Sequence, residues 1–386
     1  MAQLLNQGRL GDWLNYPSVF PTTLHIRLYS LGFAVLGRFV GFRTLAAEPL
    51  NLIYYISILV LTCAIGTEVF GPMVGRASAL MVALWPSLLL HTTQLLRDPL
   101  FISAMLLLLW MTILCIRREL SLKTASALVG SAVFAVLVIL LCRTDVKEIL
   151  TVVLLMAVAV CIITQVQQHR FRLRNVLGLL VIVTFTVLIP PLLPARNVSE
   201  HVVVRPIAQT TAARENSGFA FLESFARRVG ALRHKFIVAY PLAGSNVDTN
   251  VELNSALDLL RYLPRAAELG FFAPFPRSWV TPGVQVGISG RLVAGLEMCV
   301  MYFMFGLSAV TLIRQRNQFI VWFLFILTTV GCVALGYVVA NISALYRMRY
   351  TFFIPVLILG IQGLIIVREA VMKQYERSQI EVEPIG

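Results

Sequence analysis

Residues 85–110, WPSLLLHTTQLLRDPLFISAMLLLLW, decide how this chain is read. Two apolar runs meet at one charged pair, Arg97-Asp98, and the second run then carries no charge before Arg117. An acidic side chain at a hydrocarbon boundary is costly unless it meets water, a partner or a substrate. The whole chain has only 19 acidic residues among 386, so the position of Asp98 is informative.

Working outward, apolar stretches recur at 50–70, 77–94, 99–116, 124–142, 148–166, 175–194, 291–313, 318–340 and 350–368. Each lies near the ~20 residues that a bilayer core demands. Hydrophobic residues make up 58% of the chain, charged residues 13%, and the mean hydropathy is +0.81. A soluble core of this length needs far less apolar material. The sequence therefore predicts an all-α polytopic membrane protein with about nine transmembrane helices.

The net charge of +13 does not call for a nucleic-acid partner, because the basic residues punctuate the spans instead of forming a soluble face. One set of short connections and the tail carry Arg76, Arg117, Arg118, Lys123, Arg170, Arg172, Arg174, Arg314, Arg316, Arg368, Lys373 and Arg377. The opposite set carries only Arg97, Arg143, Lys147, Arg347 and Arg349. The positive-inside rule assigns the richer set to the cytoplasm, where anionic headgroups also favour it. Arg97-Asp98 and the long segment 195–290 then lie outside, and the C-terminus lies inside.

The expected layout has five parts. Residues 1–48 form an outer-face segment in which 28–41 suit an interfacial helix, and 49–194 hold the first six spans. The extracytoplasmic loop follows at 195–290, then three spans in 291–368 and a cytoplasmic tail at 369–386. Within the loop, VELNSALDLLRYLPRAAELG (251–270) predicts a helix broken near Pro264, with Leu253, Leu257 and Leu260 on one stripe. The aromatic and proline-rich FFAPFPRSW (271–279) follows, and 250–290 is expected to pack over the outer membrane surface. All six cysteines fall within or at the ends of apolar spans, without the paired spacing of a zinc site. They read as small hydrophobes.

Several stretches resemble the GT-C membrane glycosyltransferases, a superfamily that includes protein O-mannosyltransferases and the transferases that put aminoarabinose on lipid A. LLNQGRLGDWLNYP (4–17) is similar to the part just after the family's first acidic motif. PLNLIYYISILVLTCAIGTEVFG (49–71) resembles its second span, and ALWPSLLLHTTQLLRDPLF (83–101) resembles its third span and second acidic site. VVANISALYRMRYTFFIPVLILGIQGL (338–364) resembles the closing span with its R-x-R and proline. The resemblance implies a GT-C-like fold in a bacterial inner membrane, with its active face extracytoplasmic. It implies sugar transfer from a polyprenyl-phosphate carrier to a glycan, lipid or protein acceptor. It also sets the family's principal catalytic carboxylate before Met1. Either the start lies inside a longer gene, or this is a relative without that base.

Such chemistry needs a carboxylate to deprotonate the acceptor hydroxyl and cations to hold the lipid phosphate. Asp98 is the acidic candidate, in a supporting role. In a continuous helix, His91, Gln94 and Asp98 fall at i, i+3 and i+7 and share one face with the cavity. The plainer reading has Asp98 paired with Arg97 or opening the next helix, since Asp-Pro starts helices well. Arg97, Arg347 and Arg349 are candidates for the phosphate, and Arg261 and Arg265 for a second clamp, against snorkelling or a solvated basic face. Glu297, several residues inside its span, is a second acidic candidate or a partner of Arg291. No cofactor is fixed by these residues. A divalent metal is implied only through the members that use one, and a His91–Asp98 pair lacks a third ligand. Asp145 and Lys147 read as charges that offset one another, and the sequons at Asn197 and Asn341 are assigned nothing. Expected partners are the polyprenyl-phosphate-linked sugar and membrane lipids. Two other classes stay open: an O-antigen ligase or polymerase, whose loop would use His201 and His234, and a transporter or flippase. The absence of a Gly/Pro-broken helix pair in the sequence reading counts against the last.

Overall fold

The computed structural model describes residues 1–14, 24–41, 43–143, 146–192, 220–239, 241, 243–281 and 287–382. Asp145, the Asn197 sequon and His201 lie outside them. Among the described residues the regular structure is helical, apart from one isolated bridge between Asn246 and Asn341. A short N-terminal set comprises α1 (Ala2–Asn6), α2 (Leu10–Leu14) and α3 (Leu24–Val40). The first half of the bundle holds α4 (Glu48–Phe70), α5 (Pro72–Ala83), α6 (Pro86–Thr92), α7 (Asp98–Arg117), α8 (Leu122–Cys142), α9 (Lys147–Gln167) and α10 (Leu173–Leu192). Two helices of the long loop follow, α11 (Ala220–Ala239) and α12 (Ala256–Phe272). The chain closes with α13 (Gly287–Arg314), α14 (Phe319–Val338), α15 (Ile342–Met348) and α16 (Tyr350–Val382).

Eight of these are long and apolar enough to cross a membrane: α4 with its leading turn, α7, α8, α9, α10, α13, α14 and α16. The protein is thus an all-helical polytopic membrane protein. The expected second span, 77–94, is not one helix. It is the pair α5 and α6, bent by 68°, which makes up a ninth span only if the two count together. The cause is local: Pro86 has no N–H to donate back and disfavours helical geometry at the residue before it. Trp85 accordingly sits in an extended conformation, φ −81° and ψ 106°. This bend supplies the broken pair that the sequence reading did not find.

Helix starts follow their side chains. Asp98 and Pro99 open α7, an acid and a proline where the first turn favours both. Ser121 caps α8 by accepting from the Thr124 amide at 3.2 Å. Ser255 and Asp258 form a reciprocal capping box on α12.

Two expectations for the loop change. Helix α12 runs unbroken through Pro264, and the Tyr337 hydroxyl donates to the Leu259 carbonyl at 2.6 Å, beside the carbonyl that the proline leaves without a donor. Its buried face is Tyr262, Ala266, Leu269 and Gly270, whereas Leu257 and Leu260 of the expected stripe are exposed. Small residues explain the choice of face. A side chain on Gly270 would run into the Cys332 carbonyl, and one on Gly336 into that of Ala266, so α12 lies directly against α14. Helix-to-helix hydroxyl bonds complete the bundle: Ser308 and Thr311 of α13 donate to the Val356 and Leu359 carbonyls of α16 at 3.1 and 2.7 Å.

Candidate functional site

The 68° bend sends α6 toward one end of the bundle, and a turn at 93–97 returns the chain into α7. Helix α6 stops at Thr92, so His91, Gln94 and Asp98 do not share a helical face. Gln94 is exposed, while Asp98 is buried at 7% exposure. Its partner is not Arg97. Asp98 Oδ1 accepts from Arg143 Nη2 at 2.6 Å, and Arg347 Nη1 stands 4.0 Å from Oδ2. Arg143 follows the last residue of α8 and also lies over the Phe101 ring, 5.2 Å from its centroid. Both members of the Asp98–Arg143 pair are nearly closed to solvent, whereas Arg347 keeps 31% of its side chain exposed.

Glu297 lies in the same polar layer, 4% exposed. The suggested partner Arg291 is elsewhere, donating to Ser278 and to the carbonyl and hydroxyl of Thr281. Glu297 instead accepts from the Ser87 amide at 2.7 Å, the Ser87 hydroxyl at 2.6 Å and the Tyr346 hydroxyl. Ser87 belongs to the first turn of α6, whose amides have no partner within the helix. The carboxylate therefore holds α6 in place after the bend, and three donors occupy its lone pairs.

Helix α15 ties the layer together. Tyr346 reaches Glu297 of α13, Arg347 stands by Asp98 of α7, and Arg349 reaches the end of α12. Arg349 was a phosphate candidate, but it is 1% exposed. Its guanidinium donates to the Ala273 carbonyl and to Met298 Sδ at 2.8 Å, between the Tyr346 and Phe353 rings. A cation on the carbonyl end of a helix complements the helix dipole. Arg349 is a fastener for α12 and is closed to a ligand.

Arg261 and Arg265 form no joint clamp. Arg261 is exposed on α12, and Arg265 is taken by Asp248 at 2.9 Å and Glu268 at 2.9 Å. Burial raises the proton affinity of Asp248, but hydrogen bonds from Arg265 and Tyr262 outweigh it and hold the carboxyl below its ordinary range. Asp248 has a left-handed backbone, φ 50°, and its carbonyl accepts from the buried Arg233 at 2.8 Å. Arg233 also donates to the Tyr337 carbonyl at 3.0 Å, so this group fixes the loop onto α12 and α14.

His91 is half-buried, its ring 6.3 Å from that of Tyr350 and within the fields of Arg347 and Asp98. Its Nδ1 is buried without a hydrogen-bond partner among the described residues. Also among the described residues, no three His, Cys, Asp or Glu side chains converge as for a metal ion, and the His91–Asp98 pair gains no third ligand. Arg97 flanks Asp98, half-buried at the start of α7. Arg143 and Arg347 thus face one carboxylate, with Arg97 next to it in the chain, so cationic groups outnumber the acidic one there.

Sequence reasoning found Asp98, Glu297, His91 and Arg347 but not Arg143, Ser87 or Tyr346. Arg143 had one usable signal: it ends a span at the same boundary as Asp98. No protein-family model, curated protein or solved structure matches this chain.

Proposed function

We propose that this membrane protein is a glycosyltransferase of GT-C type, moving a sugar from a polyprenyl-phosphate carrier to a hydroxyl acceptor at the Asp98 end of the bundle. One observation carries the reading: a buried Asp98–Arg143 pair with the half-open Arg347 and Arg97 beside it. The pair is self-neutralised, so the remaining guanidinium charge is free for a phosphate, whose oxygens match the arginine fork. Asp98 in this reading is a supporting residue that orients Arg143 and Arg347, and Glu297 supports α6. The positive-inside count supports an extracytoplasmic active face.

The test is transfer from labelled polyprenyl-phosphoryl sugars to hydroxyl acceptors by the purified protein in lipid vesicles. Wild-type transfer with a product-forming donor is expected, and Asp98→Asn, which also loses stability by breaking the Arg143 pair, should abolish transfer per folded molecule. Normal transfer by Asp98→Asn sinks its role; no transfer with any such donor sinks the enzyme reading.

The bent α5–α6 pair favours a second reading, a transporter or flippase for a phosphate-linked glycolipid, since transporters build midplane sites from interrupted helices. Movement of a fluorescent polyprenyl-phosphoryl lipid between leaflets, without sugar transfer, would select it.

A further inference from the structure

Glycosyl transfer to a hydroxyl needs a proton acceptor, and the two buried carboxylates of the polar layer are poor ones. Asp98 is committed to Arg143 at 2.6 Å with Arg347 at its other oxygen. Glu297 already accepts from the Ser87 amide, the Ser87 hydroxyl and Tyr346. His91 differs from both. It stands on the last turn of α6, its ring is only partly covered, and its Nδ1 is buried without a partner among the described residues. A buried ring nitrogen left unpaired is costly, and such atoms mark places where a ligand or water completes the bonding. A neutral imidazole always keeps one nitrogen lone pair, which is what a base requires. The charged and titratable groups around it are Arg347 on α15, Asp98 at the head of α7 and Tyr350 at the head of α16. Glu297 anchors the N-terminal turn of the same helix.

We infer that His91 is the proton acceptor of the transfer step, a role for which Asp98 and Glu297 are poorly suited, being already committed to other donors. The inference rests on the proposed glycosyl transfer. As the acceptor oxygen bonds to the anomeric carbon, its proton passes to the imidazole. The bond from the anomeric carbon to the phosphate oxygen breaks, and polyprenyl phosphate leaves with that electron pair. The imidazolium then returns the proton to water.

The experiment compares wild type, His91→Gln and His91→Ala in vesicles, with a polyprenyl-phosphoryl sugar that wild type turns over. Transfer by His91→Gln should fall about 100-fold or more. Donor binding, followed with polyprenyl phosphate, should stay within about twofold, and circular dichroism should show a folded protein. Added imidazole should restore part of the activity of His91→Ala, and the acid limb of the pH–rate profile should vanish in His91→Gln. A folded His91→Gln with near-wild-type transfer overturns the inference and leaves the glycosyltransferase reading standing. A loss of donor binding equal to the loss of rate, or no rescue by imidazole, makes His91 a binding or structural residue and also overturns it. Absence of wild-type transfer removes the reading itself and the inference with it.

Discussion

The two ends of the bundle spend their buried polar groups differently. At the Arg117–Arg172 end, side chains mostly seek backbone. Asn175 donates to the carbonyls of Cys115 and Arg118 at 2.7 and 2.8 Å, and Gln165 accepts from the Arg172 amide at 2.7 Å. Arg117 donates to the Val69 carbonyl at 2.7 Å. At the Asp98 end a buried ion pair, Asp98–Arg143, stands beside the half-open Arg347, and His91 Nδ1 is buried without a partner among the described residues. Bonds to backbone fix helix ends regardless of what binds. Bonds among ionisable groups can be rearranged by an anion or a proton, which is why the proposed transfer is set at the Asp98 end.

The comparison can be broken most forcefully at Arg143. Arg143→Met leaves Asp98 buried with only the 4.0 Å contact to Arg347 and should cost about 3 kcal/mol. Pairing it with Asp98→Leu should recover much of that loss, as read by denaturant unfolding in detergent micelles. If the single variant is no less stable than wild type, the Asp98–Arg143 pair contributes nothing to the stability of the bundle. Glu297→Gln turns the oxygen that accepts from the Ser87 and Tyr346 hydroxyls into a donor and forces both hydroxyls to reorient, and should destabilise by about 1–2 kcal/mol. Hydrogen exchange in α6 should rise with it. At the other end, Asn175→Ala frees two carbonyls and should cost about 1–2 kcal/mol. Transfer activity per folded molecule should not change there, and a specific loss of activity would erase the contrast between the ends.

The smallest effect is in the loop. The carboxyl of Asp248 is held below its ordinary value of 3.8 in the folded protein, so it stabilises above that pH and loses the contribution as pH falls further. Arg265 is 36% exposed, so the gain is screened and should be about 1 kcal/mol or less. Arg265→Met should flatten the acid side of the stability profile of α12, measured by hydrogen exchange between pH 5 and 3 (roughly the carboxylate range). An unchanged profile would show that the pair contributes nothing.

Hydropathy made most of the bundle legible, because long apolar runs in this chain have no soluble alternative. It failed at 77–94, where averaging over a window hid the effect of a single proline on Trp85. It also passed over α11, whose arginines, lysine and histidine dilute its apolar residues. In the site, Asp98 and Glu297 stood out because carboxylates are rare in apolar surroundings. Their partners did not, since Arg143 is 45 positions from Asp98 and Ser87 is 210 from Glu297. Nothing local in the sequence encodes such pairings. For the same reason Arg349 passed for a surface cation: LYRMRY shows two alternating arginines, but only packing reveals that one is shut inside.

Helix α15 and its C-cap Arg349 also lie late in the order of contacts along the chain. Asp98 meets Arg143 as soon as the α7–α8 hairpin is made, so that charge is matched early in synthesis. Glu297 and the free end of α12 must wait for Tyr346 and Arg349, which emerge only after α14. The Asp98 end is therefore completed only by the final hairpin, whose Tyr346 and Arg349 join it to α13 and α12 last in the chain.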